Sequence, residues 1–383
     1  MLTRIEPPTP PIVMPPTTLL KATSGTNPAA PEESFANARR VLLLGATGTA
    51  GRATAHALLR AGHDVVCVVR DGAPDRTLDD IRHTAGLPDG VELRTGNVTD
   101  ENALQHDVFR GEHFDAVVSC LASRTGVATD AWAIDHRAHS RVLAAARQAG
   151  VDHMVLLSAI CVQRPLLAFQ HAKLAFERDL IDSGLTYSIV RPTAFFKSLS
   201  GQVERVRGGK PFLVFGDGTL TACKPIGDAD LGDFIAGCLI DPARRNRILP
   251  IGGPGGAITP RDQGDRLFEM TGRKPRFQKV PLVMFDGIRS VLGQLGRFHA
   301  GCAAKAELAR IGRYYATESM LVLDPDTGRY DAAATPSTGT ETLFDFYAKL
   351  LDGSASVARG EHAVFREGST KRDQGAINGT DGK

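Results

Sequence analysis

No window of the chain approaches the roughly 18 uninterrupted apolar residues that a membrane-spanning helix requires, so no bilayer crossing is expected. Charge of one sign is equally scarce. With 45 basic and 43 acidic residues the net charge is +2, which gives no reason to expect a nucleic-acid partner. The six cysteines (Cys67, Cys120, Cys161, Cys223, Cys238, Cys302) never form a C-x-x-C pair, and most sit in apolar runs. That spacing suits neither a zinc site nor an iron–sulfur cluster, and a chain of 383 residues does not resemble a small disulfide-stapled domain. Buried free thiols and no metal site are expected. Tyrosines are few, five in all, whereas forty glycines suit many tight βα turns better than a β-sandwich. The opening stretch, MLTRIEPPTPPIVMPPTTLLKATSGTNPAAPEES, lacks a basic segment followed by an apolar one, so it does not read as a secretory signal. Its prolines and threonines predict a disordered leader over 1–37, and the polar stretch 353–383 predicts a loose tail.

With 42% hydrophobic residues, the chain has the means for a packed core. From Arg40 onward, short apolar runs alternate with helical segments. VLLLG (41–45), DVVCVVR (64–70), VELRTGNVTD (91–100), DAVVSCLA (115–122), HMVLLSA (153–159) and TYSIVRP (186–192) read as supplying strands covered on both faces. Helices are predicted over 49–61, after Thr99 or Asp100, over 129–149 and through 173–182. This alternation predicts an α/β fold with a doubly wound, parallel, Rossmann-type sheet and right-handed crossovers. Beyond Phe195 the pattern loosens into short strands near 212–215 and 247–251, with helices near 230–240 and 261–271. The expected organisation is a dinucleotide-binding core over 38–200 and a smaller substrate lobe over 201–352, with some return to the core.

Gly45-Ala46-Thr47-Gly48-Thr49-Ala50-Gly51-Arg52 lies between the first strand and the first helix. Glycine is needed there because the backbone must turn tightly and approach a pyrophosphate that faces the helix N–H groups. The G-x-x-G-x-x-G spacing resembles that of the extended and atypical short-chain dehydrogenase/reductases. Arg70 ends the second strand where an NAD site carries an acid, so Arg70, with Arg52, is read as pairing with a 2′-phosphate, and NADP(H) is the expected cofactor. Asn97 and Val98 resemble the segment flanking the adenine in that superfamily, and Cys120, Leu121 and Ala122 stand where it lines the cofactor with small residues. Ser158, Pro192 and Thr193, at the ends of the fifth and sixth strands, complete the expected cofactor contacts.

Most short-chain dehydrogenases carry Tyr-x-x-x-Lys on the helix after the fifth strand. The spacing of four puts both side chains on one face, so that lysine holds the ribose and tyrosine moves the proton. Here Lys173 is present, but its partner position is Phe169, which carries no proton. Lys173 is therefore the one expected catalytic residue, and alcohol–ketone chemistry is not expected. His136 and His139, three apart on a helix, read as exposed histidines rather than ligands. Phe195 and Phe196, after the sixth strand, are read as pocket-lining.

The segments VLLLGATGTAGR (41–52), VVCVVR (65–70), HMVLLSAICVQRP (153–165), HAKLAFE (171–177), YSIVRPTAFFKSLSGQ (187–202), GGKPFLVFGDGTLTACKPI (208–226) and LPIGGPGGAITPRDQG (249–264) together resemble one family. It is the NADPH-dependent 3,8-divinyl (proto)chlorophyllide 8-vinyl reductases, a group of atypical short-chain reductases, and the likeness runs over about 38–352. The resemblance implies reduction of the 8-vinyl group of a tetrapyrrole to ethyl in chlorophyll or bacteriochlorophyll biosynthesis, with NADPH as cofactor and magnesium belonging to the substrate. It also implies a cytoplasmic enzyme in a bacterium or a plastid one in a eukaryote, with peripheral association at photosynthetic membranes left open. Phe169, Phe195, Phe196, Phe212 and Phe215 are then candidates to line the pocket of a flat, apolar ring. Two alternatives stand beside this reading: an isoflavone-reductase-like or sugar-nucleotide enzyme of the same superfamily, and a non-catalytic NADP(H)-binding sensor or assembly factor.

Overall fold

The computed structural model of the protein describes residues 38–70, 76–284 and 300–356, with the side chains of 300–304 left aside. The expected leader over 1–37, and all but the first four residues of the expected tail, lie outside the described residues. Strand β1 (Arg40–Leu44) begins one residue before its run, and β2 (Asp64–Val69), β3 (Glu92–Thr95), β4 (Ala116–Ser119), β5 (His153–Leu157) and β6 (Thr186–Pro192) fall within the runs read from sequence. Further on lie β7 (Phe212–Phe215), β8 (Arg247–Ile251) and β9 (Phe277–Val280). One seven-stranded sheet has the order β3-β2-β1-β4-β5-β6-β8, and every pairing in it is parallel.

Both faces of this sheet are covered. Helices α1 (Thr49–Arg60) and α2 (Leu78–Ala85) bury Leu58 and Ile81 against Val41, Leu43 and Cys67 on one face. The opposite face, carrying Leu42, Leu44 and Val66, is covered by α3 (101–109), α4 (128–148) and α5 (Ala168–Asp182). Alternate residues of β1 thus enter different cores, which is why its sequence is apolar throughout. Helix α6 (Asp228–Ile240) returns from the second half of the chain to the first face, beside α1. Asp100 caps α3, its Oδ1 accepting the Ala103 amide at 3.0 Å.

Helix α4 departs from the regular helix expected over 129–149. It begins at Ala128–Ala131, winds wide with π-type turns over Trp132–Ala138, and resumes over His139–Gln148. A π-type segment inside a helix changes where its side chains point, and here Asp135 and His139 are buried.

The remaining lobe pairs β7 with β9 in a separate two-stranded sheet and packs it against α7 (Pro260–Met270) and α9 (Leu343–Leu351), while α8 (Ala300–Thr317) lies between them in sequence. Helix α7 starts as its sequence requires, with Pro260 in the first turn and a reciprocal Thr259–Asp262 capping box. No helix among the described residues is long and apolar enough to cross a membrane.

Candidate functional site

The order β3-β2-β1-β4 reverses direction between β1 and β4, so the glycine turn leaves the sheet where ligands bind in such folds. Gly45 has φ +76°, and a Cβ there would lie 2.7 Å from the Cys120 carbonyl carbon and 2.9 Å from the Leu121 nitrogen. A Cβ on Gly51 would come within 2.1 Å of the Gly45 oxygen. Neither position tolerates a side chain without moving backbone. Gly48 caps α1 without a side-chain bond, and no acidic residue stands in the first turn. The cradle suits a pyrophosphate: free helix amides, a positive dipole end and backbone that can approach closely. Thr47 and Gly48 are exposed, and Thr49 and Ala50 half-buried.

Sequence reasoning did not single out Lys197. Its Nζ lies 3.3 Å from the Thr49 hydroxyl, which puts an ammonium over the helix start. Asp228, at the start of α6, feels both Arg52 and Lys197; burial raises its pKa, and the two cations counter that shift.

Arg70 is exposed at the end of β2, and Arg52 is exposed on the first turn of α1, its side chain reaching Gly86 after α2. Asp71, next to Arg70, lies outside the described residues. Asn97 closes a turn on Thr99, accepting from its amide at 3.0 Å and its hydroxyl at 2.7 Å, while Val98 packs on the sheet face opposite α1. Cys120 faces Thr54 at 3.6 Å, and burial pushes its thiol up to about 11, so it stays protonated. Leu121 and Ala122 follow it at the end of β4. These side chains come from four neighbouring βα junctions at one edge of the sheet.

Lys173 lies 9% exposed on α5, with Nζ 3.1 Å from Asp135 Oδ1. The same oxygen accepts the Ser123 amide at 3.2 Å, whereas Asp135 Oδ2 is buried without a partner. Asp135 thus anchors Lys173 to the loop after β4, and the wide turns of α4 put it there. One turn on either side of Lys173, Phe169 and Glu177 share its face. Glu177 forms a buried ion pair with Arg191 and also accepts from Ser158. Ser158, expected among the cofactor contacts, is hydrogen-bonded to this carboxylate. Thr193 likewise donates its hydroxyl to the Lys224 carbonyl, and the preceding Pro192 is buried opposite Ile251 in β8.

His139 is not the exposed histidine expected from sequence. It is buried between Ser119 (2.9 Å) and the Ile134 carbonyl (2.8 Å), and tilts against Phe176. His136 keeps an exposed bond to Asp179 at 3.0 Å.

Residues 45–242 match the NAD(P)H-binding family. Over 338 residues, 85% of this chain and 82% of its relative, the sequence is 49% identical to the chloroplastic divinyl chlorophyllide a 8-vinyl-reductase of Oryza sativa subsp. indica. The chain belongs to the divinyl chlorophyllide a 8-vinyl-reductase family. The Arabidopsis thaliana member is 46% identical over 350 residues, 88% of this chain and 84% of that one. Among solved structures, the leucoanthocyanidin reductase–NADPH binary complex from Vitis vinifera superposes with a TM-score of 0.60 at 13% identity, covering 82% of this chain and 99% of that one. At that identity the likeness is one of fold.

In this family member the aromatic residues read as pocket-lining divide into two groups. Phe196 and Phe212 are each 2% exposed and belong to the core of the lobe, Phe196 tilted against Phe346 and Phe212 edge-on to Phe277. They stiffen the lobe and present no face to a ligand, which corrects their reading as pocket residues. Phe195, Phe169 and Phe215 remain partly exposed. Phe169 packs beside Ile311 of α8, both against Gly126 in the loop after β4, and Phe215 packs on Ala309 and Ala316 of the same helix.

Three buried histidines, His63, His139 and His153, set a pH dependence, the last two most strongly. Burial brings His139 down to about 4, with the Lys173 charge acting in the same direction, and it brings His153 down to about 4 as well. The unfolded chain takes up these protons near the ordinary 6.5. The stability they contribute is therefore complete above that value and is lost as pH falls toward about 4, at about 1.4 kcal/mol per pH unit per histidine. The melting midpoint should drop across this window, and His139→Asn should make the drop shallower. A midpoint flat from neutral to pH 4 would contradict the assignment.

Proposed function

We propose that this chain uses NADPH to reduce the 8-vinyl group of a divinyl chlorophyllide or protochlorophyllide to ethyl. The observation that carries the reading is Phe169 beside a retained, buried Lys173, in a chain of this family. Bound at the glycine turn, NADPH supplies the hydride. Asp135 holds Lys173 where its ammonium can grip the nicotinamide ribose, and the α1 amides with Lys197 neutralise the pyrophosphate. Phe169 and Ile311 keep the reacting region apolar. A vinyl group conjugated to a tetrapyrrole needs no partner that stabilises an alkoxide, because the macrocycle delocalises the charge left by hydride addition. That chemistry is compatible with a phenyl ring in the tyrosine position, whereas alcohol–ketone exchange is not. We place the reaction in the cytoplasm of a bacterium or in a plastid, at the surface of photosynthetic membranes if it associates with them.

The cofactor half can be tested by binding alone. Arg70→Ala should weaken NADPH about ten- to a hundredfold and leave NADH nearly unchanged, since charge-assisted pairing to a 2′-phosphate is worth roughly 1.5–3 kcal/mol. Lys197→Ala should weaken both cofactors alike, because the pyrophosphate is common to them. Equal losses from Arg70→Ala would make that arginine structural. The substrate half is tested by incubating the protein with NADPH and divinyl chlorophyllide and following the Soret band. A shift to the monovinyl pigment, matched by NADPH consumption, is expected; no shift with any divinyl tetrapyrrole would refute the reading.

A further inference from the structure

The reduction needs a proton as well as a hydride, and the usual tyrosine of α5 is Phe169. Helix α8 lies over the vacated position. Ile311 packs with Phe169 against Gly126, after β4, and one turn later the Tyr315 hydroxyl reaches Cys161, after β5, at 4.0 Å from Sγ. The Cys161 thiol feels the Lys173 ammonium, so Tyr315 and Lys173 address the same neighbourhood. The ends of β4 and β5 therefore both meet this one helix.

The other tyrosines are accounted for. Tyr314 donates to the carbonyls of Cys161 (2.8 Å) and Arg164 (3.1 Å), which pins the end of α8. Tyr330 donates to Glu318 at 2.7 Å and Tyr347 to the Leu199 carbonyl at 2.7 Å, while Tyr187 opens β6 at the opposite edge of the sheet. Tyr315 alone among the five combines 42% exposure with proximity to the Lys173 neighbourhood. Leu308, seven residues earlier on the same face of α8, is also exposed, and so is Leu166, whose carbonyl accepts from Arg310 of that helix. An apolar surface with one hydroxyl beneath it, turned toward Cys161, fits a flat macrocycle that needs a single proton.

We propose that Tyr315, carried by the lobe rather than by α5, is the proton donor of the reduction. This rests on the reading above. Hydride addition breaks a C4–H bond of NADPH and the C=C π bond and forms a C–H bond at the terminal vinyl carbon, leaving the electron pair on the inner carbon and macrocycle. The Tyr315 O–H bond then breaks as the inner carbon gains its hydrogen, and water returns a proton to the phenolate once the product leaves. The vinyl group is reduced by two electrons and NADPH is oxidised by two.

The test compares Tyr315→Phe and Tyr315→His with the parent, using divinyl chlorophyllide and NADPH. Tyr315→Phe should lower kcat about a hundredfold, in the range general acids supply, with NADPH affinity unchanged. Tyr315→His should recover at least tenfold of that loss, its activity rising as pH falls through the imidazole range. Tyr315→Phe within threefold of an active parent would overturn the proposal alone. A loss that histidine does not relieve at any pH would also overturn it, since the ring would then be a contact only. A parent that turns over no divinyl tetrapyrrole would overturn the functional reading and this proposal together.

Discussion

Lys173→Met is expected to lower kcat about a hundred- to a thousandfold and to weaken NADPH binding about tenfold or more. In the proposed mechanism the ammonium fixes the nicotinamide ribose, and misplacing a reactant by even an ångström can cost two orders of magnitude. The same change has a second consequence. It leaves Asp135 buried with neither oxygen facing a cation, and breaking a buried ion pair from one side costs about 3–5 kcal/mol. The two effects separate in the double variant. Adding Asp135→Asn should restore most of the melting midpoint without restoring turnover. If the double variant recovers activity along with stability, Lys173 serves the fold and not the reaction. Phe169→Tyr should bring no gain in rate, since no alkoxide forms for a tyrosine at that position to serve.

Glu177→Ala should produce a comparably large loss of stability. The carboxylate is the partner of Arg191 and the acceptor for Ser158, and all three are buried at the junction of α5, β5 and β6. Removing it leaves a guanidinium uncompensated, again about 3–5 kcal/mol. At roughly 2–4 °C per kcal/mol for a domain of this size, the midpoint should fall by roughly 6–20 °C. Glu177→Gln, which keeps an acceptor for Ser158, should fall less. A drop below roughly 2 °C for Glu177→Ala would mean that water replaces the carboxylate and the cluster is not closed.

These residues also mark where sequence reasoning stops. The glycine turn and six strands of the main sheet are readable because each is a local pattern, an apolar run ending in turn residues. β8 is another matter. RILPI carries an arginine and a proline, and its place as the seventh strand comes from register with β6, about sixty residues away. Asp135 has no local signal at all. It sits within a helix whose wide turns bring it to a lysine 38 residues away in sequence, and only the fold joins them. Glu177 was more accessible, since its four-residue spacing from Lys173 puts it on the same helix face. Apolarity alone could not tell Phe196 and Phe212, which fill the lobe, from Phe169, which lies beside Lys173. The hydroxyl proposed as proton donor, that of Tyr315, lies on a helix about 140 residues beyond the one that usually carries it.

Isotope placement tests the central claim most directly. With NADPH deuterated at the transferred C4 position, the product should carry one deuterium on the terminal carbon of the new ethyl group. With ordinary NADPH in heavy water, the deuterium should appear on the inner carbon. Deuterium from NADPH on the inner carbon would contradict the account, because the macrocycle would then not be the acceptor of charge that makes Phe169 tolerable.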